Sequence, residues 1–314
     1  MKRVVFAVIS AVLALQTNAQ ESQTAFNFLR LPVSAHVAAL GGDNITIADD
    51  DASLVFHNPA LANNVANKTL GLNMLTYMEG AVSGSASFVK AAGQRATWAV
   101  MGQFISYGTM RETTVEGQQT GEFSAKDIAL GGTYAYGLTS HISGGITAKF
   151  VASYIGRYSS TAAAVDLGLN YYQPRGDWSV SLVARNLGGQ LSAYEDDFER
   201  LPLDVQLGIT KRLVGSPLRL SASFVRLNDW EYGIGKHLIF GADLLLSEQF
   251  YVSAGYNGMR ASEMKISEDD GSSSHGAGLS FGGGIMLQRL KLNVAYARYH
   301  VSTSSLVINL SYTL

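Results

Sequence analysis

Ile142-Ser143-Gly144-Gly145-Ile146-Thr147-Ala148-Lys149-Phe150 decides the fold: apolar or small residues at the even positions alternate with mostly polar ones at the odd positions. A period of two is the spacing of a strand whose faces meet different surroundings, and helical spacing fits it poorly. The pattern recurs. Leu203, Val205, Leu207 and Ile209 alternate with Asp204, Gln206, Gly208 and Thr210, and Ile308, Leu310, Tyr312 and Leu314 close the chain against Asn309, Ser311 and Thr313. Such runs approach the ~10 residues that a tilted strand needs to cross a bilayer.

Segmenting 69–314 this way predicts about fourteen strands, at 69–78, 81–90, 95–107, 125–138, 141–155, 160–173, 177–187, 203–213, 217–228, 236–246, 249–258, 276–287, 290–299 and 304–314. The connections sort by side. Even-numbered strands lead into short links, whereas the long ones (108–124, 188–202 and 259–275) all follow odd-numbered strands. Short turns at one end and long loops at the other mark outer-membrane barrels, with the long loops outward. Pro174, Pro202 and Pro217 fall at strand ends, where a missing N–H costs little. A soluble β-sandwich would have shorter strands and no preferred side for its turns.

Composition agrees with an all-β transmembrane antiparallel barrel. Charged residues make up 15%, below the ~25% usual for soluble domains, and no stretch after the first twenty residues is apolar for the ~18 residues a spanning helix needs. Lys2 and Arg3, the apolar run from Val4 to Leu15 and Thr17-Asn18-Ala19 have the layout of a signal peptide over 1–19. The absence of cysteine excludes a lipid-anchoring Cys, disulfides and thiolate metal sites. A net charge of −2 argues against nucleic acid as a partner.

Residues 20–68 read as a compact, partly helical plug ahead of a barrel at 69–314. Helical patches are expected at 34–40 and 51–56, the second capped by Asp49 or Asp50. Asp49, Asp50 and Asp51 could line a pore or pair with lumen-facing Lys149 or Arg185. Asn58-Pro59 is a turn-initiating pair.

Ala38-Ala39-Leu40-Gly41-Gly42, Ala48-Asp49-Asp50-Asp51-Ala52-Ser53 and Phe56-His57-Asn58-Pro59-Ala60-Leu61-Ala62 resemble the N-terminal signature of the FadL-like outer-membrane barrels. The plug motif so marked is Gly41, Gly42, Asp49, Asp50, Asp51, Asn58, Pro59 and Ala60. More narrowly, the stretch from Phe26 to Ala35, Arg185-Asn186-Leu187-Gly188-Gly189 and the run from Leu201 to Gly208 resemble the PorV/PorQ group, barrels of the type IX secretion system of the Bacteroidetes. The resemblance implies a fourteen-stranded outer-membrane barrel with an N-terminal plug, set in outer-membrane lipid. It further implies a non-catalytic anchor for surface partners: a PorZ-like protein and an attachment complex with PorU and PorV. A FadL-like channel for hydrophobic small molecules is the alternative.

No enzyme signature emerges. None of His36, His57, His141, His237, His275 and His300 has a second ligand at metal spacing, no Gly-x-Ser-x-Gly elbow occurs, and no cofactor is implied. A serine beside His141, His237 or His300 is the most that a hydrolase reading could use. Glycine pairs and triplets such as Gly131-Gly132 and Gly282-Gly283-Gly284 lie within strands and suggest barrel curvature or close packing on the plug. Two acidic clusters fall in long loops, Glu195-Asp196-Asp197 with Glu199, and Glu268-Asp269-Asp270. They lack the spacing of a calcium loop and are candidates for contact with a partner.

Overall fold

The computed structural model describes residues 24–314 apart from 79, 116, 231–232, 265, 269–270, 274–275 and 301–302. The signal segment expected at 1–19 lies outside the described residues, as do Asp269 and Asp270 of the second acidic cluster.

Fourteen strands close into one antiparallel barrel: β1 (Thr69–Thr76), β2 (Val82–Ala92), β3 (Ala96–Thr113), β4 (Gln119–Gly137), β5 (Ile142–Ile155), β6 (Tyr158–Gln173), β7 (Trp178–Ser192), β8 (Asp204–Arg212), β9 (Leu218–Phe224), β10 (Leu238–Leu245), β11 (Phe250–Asn257), β14 (Leu279–Met286), β15 (Leu290–Ala297) and β16 (Ser305–Thr313). Each pairs with its neighbours in this order, and β1 closes on β16 with Thr69 opposite Thr313. A separate hairpin, β12 (Ile266–Glu268) and β13 (Gly271–Ser273), stands between β11 and β14. All fourteen expected strands are present.

The alternation explains the closure. Outward positions carry Leu72, Val100, Phe104, Leu130, Phe150, Leu167, Leu182 and Phe240, all exposed. An apolar belt of this extent is solvated by lipid and would drive aggregation in water. Inward positions carry small or polar residues, among them Ser87, Thr133, Thr147, Asn170, Ser181, Gln206, Ser223, Ser253 and Asn309, all buried because the lumen is full. No helix among the described residues is long and apolar enough to cross a membrane.

Three expected connections differ. Residues 108–124 are mostly not loop: β3 and β4 stay paired far beyond the shorter strands, with Arg111 opposite Glu122, and turn only at 114–118. Strand β9 ends at Phe224, not at 228, and opens a loop over 225–237. Its alternation continues past the last ladder bond, but Arg226 takes a left-handed φ of 53° and turns the chain out of register. The long connection after β11 also carries secondary structure, beginning with a helix at Gly258–Glu263 and including the β12–β13 hairpin. The links 93–95, 138–141, 174–177, 213–217, 246–249 and 287–289 define a short-turn end, and 193–203, 225–237 and 258–278 a long-loop end.

The plug fills the lumen. It begins beside the long-loop end, where the Ala25 amide donates to the Arg200 carbonyl. It passes through a 3-10 turn at Asn27–Arg30, helix α1 (Ala35–Ala39) and 3-10 turns at Ala52–Phe56 and Pro59–Asn64, then enters β1. Ser34 caps α1 by accepting from the Val37 amide. The cap of the second element is Asp51, not Asp49 or Asp50, since Asp51 accepts from the Ser53 amide. Asn58-Pro59 opens a six-residue 3-10 helix, with the Asn58 carboxamide oxygen accepting from the Ala60 amide. Glycine on the wall admits the backbone of this motif: a Cβ at Gly168 would lie 2.2 Å from Asn58 Oδ1, and one at Gly145 2.4 Å from the Pro59 carbonyl carbon.

Candidate functional site: the seam between plug and wall

The wall facing the plug has two characters. On β2 to β6 the contact with the plug is mainly apolar, although Ser87 donates to the Ala52 carbonyl at 3.0 Å. Val89, Ala99, Met101, Ala135 and, higher up, Ile105, Ala129, Val151, Ala162 and Ala164 pack against Phe28, Leu29, Val33, Val55 and Phe56 of the plug. A cavity of about 20 Å³ remains there, between Leu29, Val33 and Phe56 on one side and Met101, Ala129 and Gly131 on the other. That is room for a water, not for a ligand.

On β7 to β11 and β14 to β16 the seam is richer in polar and ionic contacts, beside an apolar patch where Ala35, Ala38 and Ala39 pack against Ala295 and Val307. Arg219 of β9 holds Asp49 through both carboxylate oxygens, Nη1 to Oδ1 at 2.7 Å and Nη2 to Oδ2 at 2.9 Å. Its Nε donates to Asp243 of β10 at 2.7 Å. His36 of α1 lies 3.0 Å from the other Asp243 oxygen and 3.5 Å from Asp49. Ser253 also donates to Asp243. Burial works to raise the Asp49 pKa, but Arg219, at hydrogen-bond distance, and His36 override it and hold the carboxyl below its ordinary range. Asp50 pairs with Lys291 of β15. Asp51 binds within the plug and across it, accepting from Ser34 at 3.5 Å and Ser311 at 3.2 Å.

Wall pairing by the acidic run, one of the two roles expected from sequence, is therefore observed, with other partners. Lys149 pairs instead with Asp166 at 2.8 Å, and Arg185 lies 3.9 Å from Asp43 while donating to the Leu29 carbonyl. Gly41 and Gly42 adopt positive φ and seat the chain on β11, where the Gly41 amide nitrogen would lie 2.3 Å from a Cβ at Gly255. Asn58, Pro59 and Ala60 lie on the opposite wall, against β5 and β6. The motif thus brackets the plug and converges on no reactive point.

Arg219, Asp243 and Lys291 were missed by sequence reasoning, although a signal existed. Each is a lone charge at a lumen-facing position of a predicted strand, and such a charge demands a partner inside.

His57, His237 and His141 make local hydrogen-bond and packing contacts, and His275 lies outside the described residues. His57 is buried and accepts from the Val33 and Ser34 amides through Nε2, and burial pushes its pKa well down. His237 bonds the Val225 carbonyl and packs near Phe224 and Trp230. His141 contacts Ser140, its neighbour in an exposed turn. Among the described residues no group of three His, Asp or Glu side chains is placed to hold a metal. Glu195, Asp196 and Asp197 stand exposed in the 193–203 loop with Glu199 half-buried beside them, and Glu268 ends β12.

No protein-family description matches this sequence, and no curated protein matches it either. Solved structures do share its fold. The Pseudomonas putida toluene transporter TodX matches with a TM-score of 0.54 and 13% identity, over 90% of this chain and 97% of that one. A channel for monoaromatic hydrocarbons, CymD, gives 0.55 and 12%, over 92% and 98%. A FadL homologue from Pseudomonas aeruginosa gives 0.52 and 11%, over 89% and 97%. The fold is that of FadL-like barrels.

Proposed function

We propose that this protein is a FadL-like channel of an outer membrane that passes hydrophobic small molecules, its long loops facing outward. The observation that carries the proposal is the apolar half of the seam. Along β2 to β6 the plug is held chiefly by apolar contact, with Ser87 donating to the Ala52 carbonyl at 3.0 Å, around a small cavity bordered by Leu29, Val33, Phe56 and Met101 and by the polar Gln103, Lys149 and Arg185. Sliding the apolar surfaces apart there breaks few hydrogen bonds, the Ser87 to Ala52 carbonyl bond being the shortest, so an apolar solute can replace most of the contacts it displaces. The names of the structural neighbours, channels for aromatic hydrocarbons and a toluene transporter, point the same way.

The test is uptake of radiolabelled toluene into proteoliposomes holding the purified protein. Uptake above that of protein-free liposomes, reduced by Met101→Arg in the seam, supports the channel. Uptake equal to the protein-free control sinks it.

A second reading has observations of its own: a non-catalytic anchor for surface partners of a type IX protein secretion and attachment system, PorZ-like or an attachment complex with PorU and PorV. The ladder closes all the way round, the lumen is packed, and elaboration concentrates at one end, in the 193–203 and 225–237 loops, the helix at Gly258–Glu263 and the projecting β3–β4 hairpin. A barrel without partners has little need of such loops. Mild solubilisation of native membranes followed by mass spectrometry tests it. Stoichiometric surface proteins, lost when 193–203 and 259–275 are replaced by short turns, support the anchor; a solitary barrel refutes it.

A further inference from the structure

At the long-loop end, a cavity of about 320 Å³ opens between plug segments 27–32 and 41–43 and the mouth of the barrel. It is larger than the seam cavity and differs from it in chemistry. Three guanidinium groups border it (Arg30, Arg226 and Arg260), and so do three carboxyl groups (Asp43, Asp204 and Glu263), so the formal charges cancel.

Most of these groups are already committed. Arg226 donates to Glu263 at 2.9 Å, and Arg260 donates to the carbonyls of Ala277 and Gly278. Asp204 accepts from Gln206 and from the Arg226 amide. Three groups are left over. Arg30 has no ion pair among the described residues, and its Nε is shut from solvent without an acceptor. The Tyr299 hydroxyl is likewise enclosed without a partner in hydrogen-bond geometry, while the Arg260 guanidinium lies over its ring at 4.9 Å. Asp43 has only distant contacts, 3.5 Å to Gln206 and 3.9 Å to Arg185. A donor, an acceptor and a hydroxyl that is both border one cavity, and Tyr77 adds an aromatic face.

We propose that this vestibule binds a neutral polyhydroxylated ligand, a sugar ring, with Arg30 donating to one ring hydroxyl, Asp43 accepting from another and Tyr299 serving either. The balance of charge selects against a free anion or cation, because any ion drawn by one set of groups is repelled by the other. Unsatisfied polar groups reward a ligand that carries both donors and acceptors, and they penalise one that fills the space with hydrocarbon. The volume lies at the small end of ligand pockets, about 300–1,000 Å³, which suits one or two pyranose rings. The site is independent of whether the lumen conducts, because it lies above the seam.

The experiment is saturation-transfer NMR on the full protein in a zwitterionic detergent without a sugar headgroup. The probes are the methyl glycosides of glucose, galactose and mannose, N-acetylglucosamine, octanoate and inorganic phosphate. At least one sugar is expected to give transfer, weakened at least tenfold by Arg30→Gln and by Asp43→Asn and severalfold by Tyr299→Phe. Arg175→Gln, in a turn at the far end, leaves it unchanged. Heat-modifiable gel mobility confirms that each variant is folded, and the conservative Tyr299→Phe keeps the test decisive should a charge variant fail to fold. Transfer to no sugar overturns the proposal. So does binding of octanoate or phosphate that depends on Arg30, or sugar binding indifferent to every vestibule substitution.

Discussion

Replacing Arg219 by Met tests whether the plug is latched to the wall by charge. The side chain lies across the polar seam with three short charge-assisted contacts, two to Asp49 and one to Asp243, and is 13% exposed. Met preserves much of the apolar stem and removes the fork. It leaves Asp243, 1% exposed, and Asp49, 17% exposed, facing each other with only His36 between them. Breaking a buried pair from one side costs about 3–5 kcal/mol, chiefly the penalty of the stranded charge. The partial exposure of Asp49 puts the expectation near the lower figure, about 3 kcal/mol. Removing the stranded charges as well, with Asp49→Asn and Asp243→Asn, is expected to recover at least half of the loss, since a neutral set of similar shape carries no such penalty. The assay is urea unfolding in detergent, followed by the gel-mobility difference between folded and unfolded barrel. A single variant that loses less than about 1 kcal/mol, or a triple variant no more stable than the single, would refute the latch.

The plug carboxylates carry opposite pH signatures. Burial, with Asp204 nearby, raises the Asp43 pKa to about 6, so the folded state binds the extra proton and stability falls as pH climbs from about 4 to 6; Asp43→Asn should therefore stabilise the protein by about 1–2 kcal/mol at pH 7.5, after discounting for exposure, with the gain gone by pH 3.5. Asp49, held below its ordinary range, contributes stability that is full at neutral pH and is lost as pH falls below about 4, so Asp49→Asn should flatten the acid limb of the same unfolding curve. Gly168→Ala puts a Cβ 2.2 Å from Asn58 Oδ1 and must displace the Asn58-Pro59 turn; a loss of about 1–3 kcal/mol with faster proteolysis of 24–68 is expected, and an unchanged protease pattern counts against the packing argument. Leu130→Arg sets a charge on the lipid face and should cost about 2–4 kcal/mol if that position is near mid-bilayer, measured as a fall in folded yield in lipid vesicles.

The wall was legible because its signal is local. An alternating run such as Leu203 to Ile209 states its own two faces, and pairing with the next strand follows from short turns such as 138–141. Legibility fails where the determinant is a hydrogen bond the pattern does not encode. Val225 to Asn228 alternates like a strand, yet the chain turns at Arg226, and the Leu227 amide bonds Val205 as a loop would. The site was harder still. Asp49 and Arg219 are 170 residues apart, and their meeting depends on how far the plug sits along the lumen and how it is rotated there. The acidic run told of a need for cations, and no local rule chose Arg219 and Lys291 over Lys149 and Arg185. The vestibule left no trace in the sequence, since Arg30, Asp43 and Tyr299 become neighbours only after the barrel has closed.

The two halves of the seam bear differently on the two functions. Ionic contacts resist displacement steeply, because a small separation strands charge in a site with little water. Apolar contacts resist only in proportion to the area exposed, and a hydrophobic solute cancels even that. A plug with Asp49, Asp50 and His36 fixed to β9, β10 and β15, and mainly packing with few hydrogen bonds on β2 to β6, is therefore biased by its chemistry to yield on one side. A channel needs this asymmetry and an anchor is indifferent to it. Loosening the ionic side with Arg219→Met should then raise toluene uptake if the barrel conducts, whereas under the anchor proposal recruitment of a partner through the long-loop end should stay as it was.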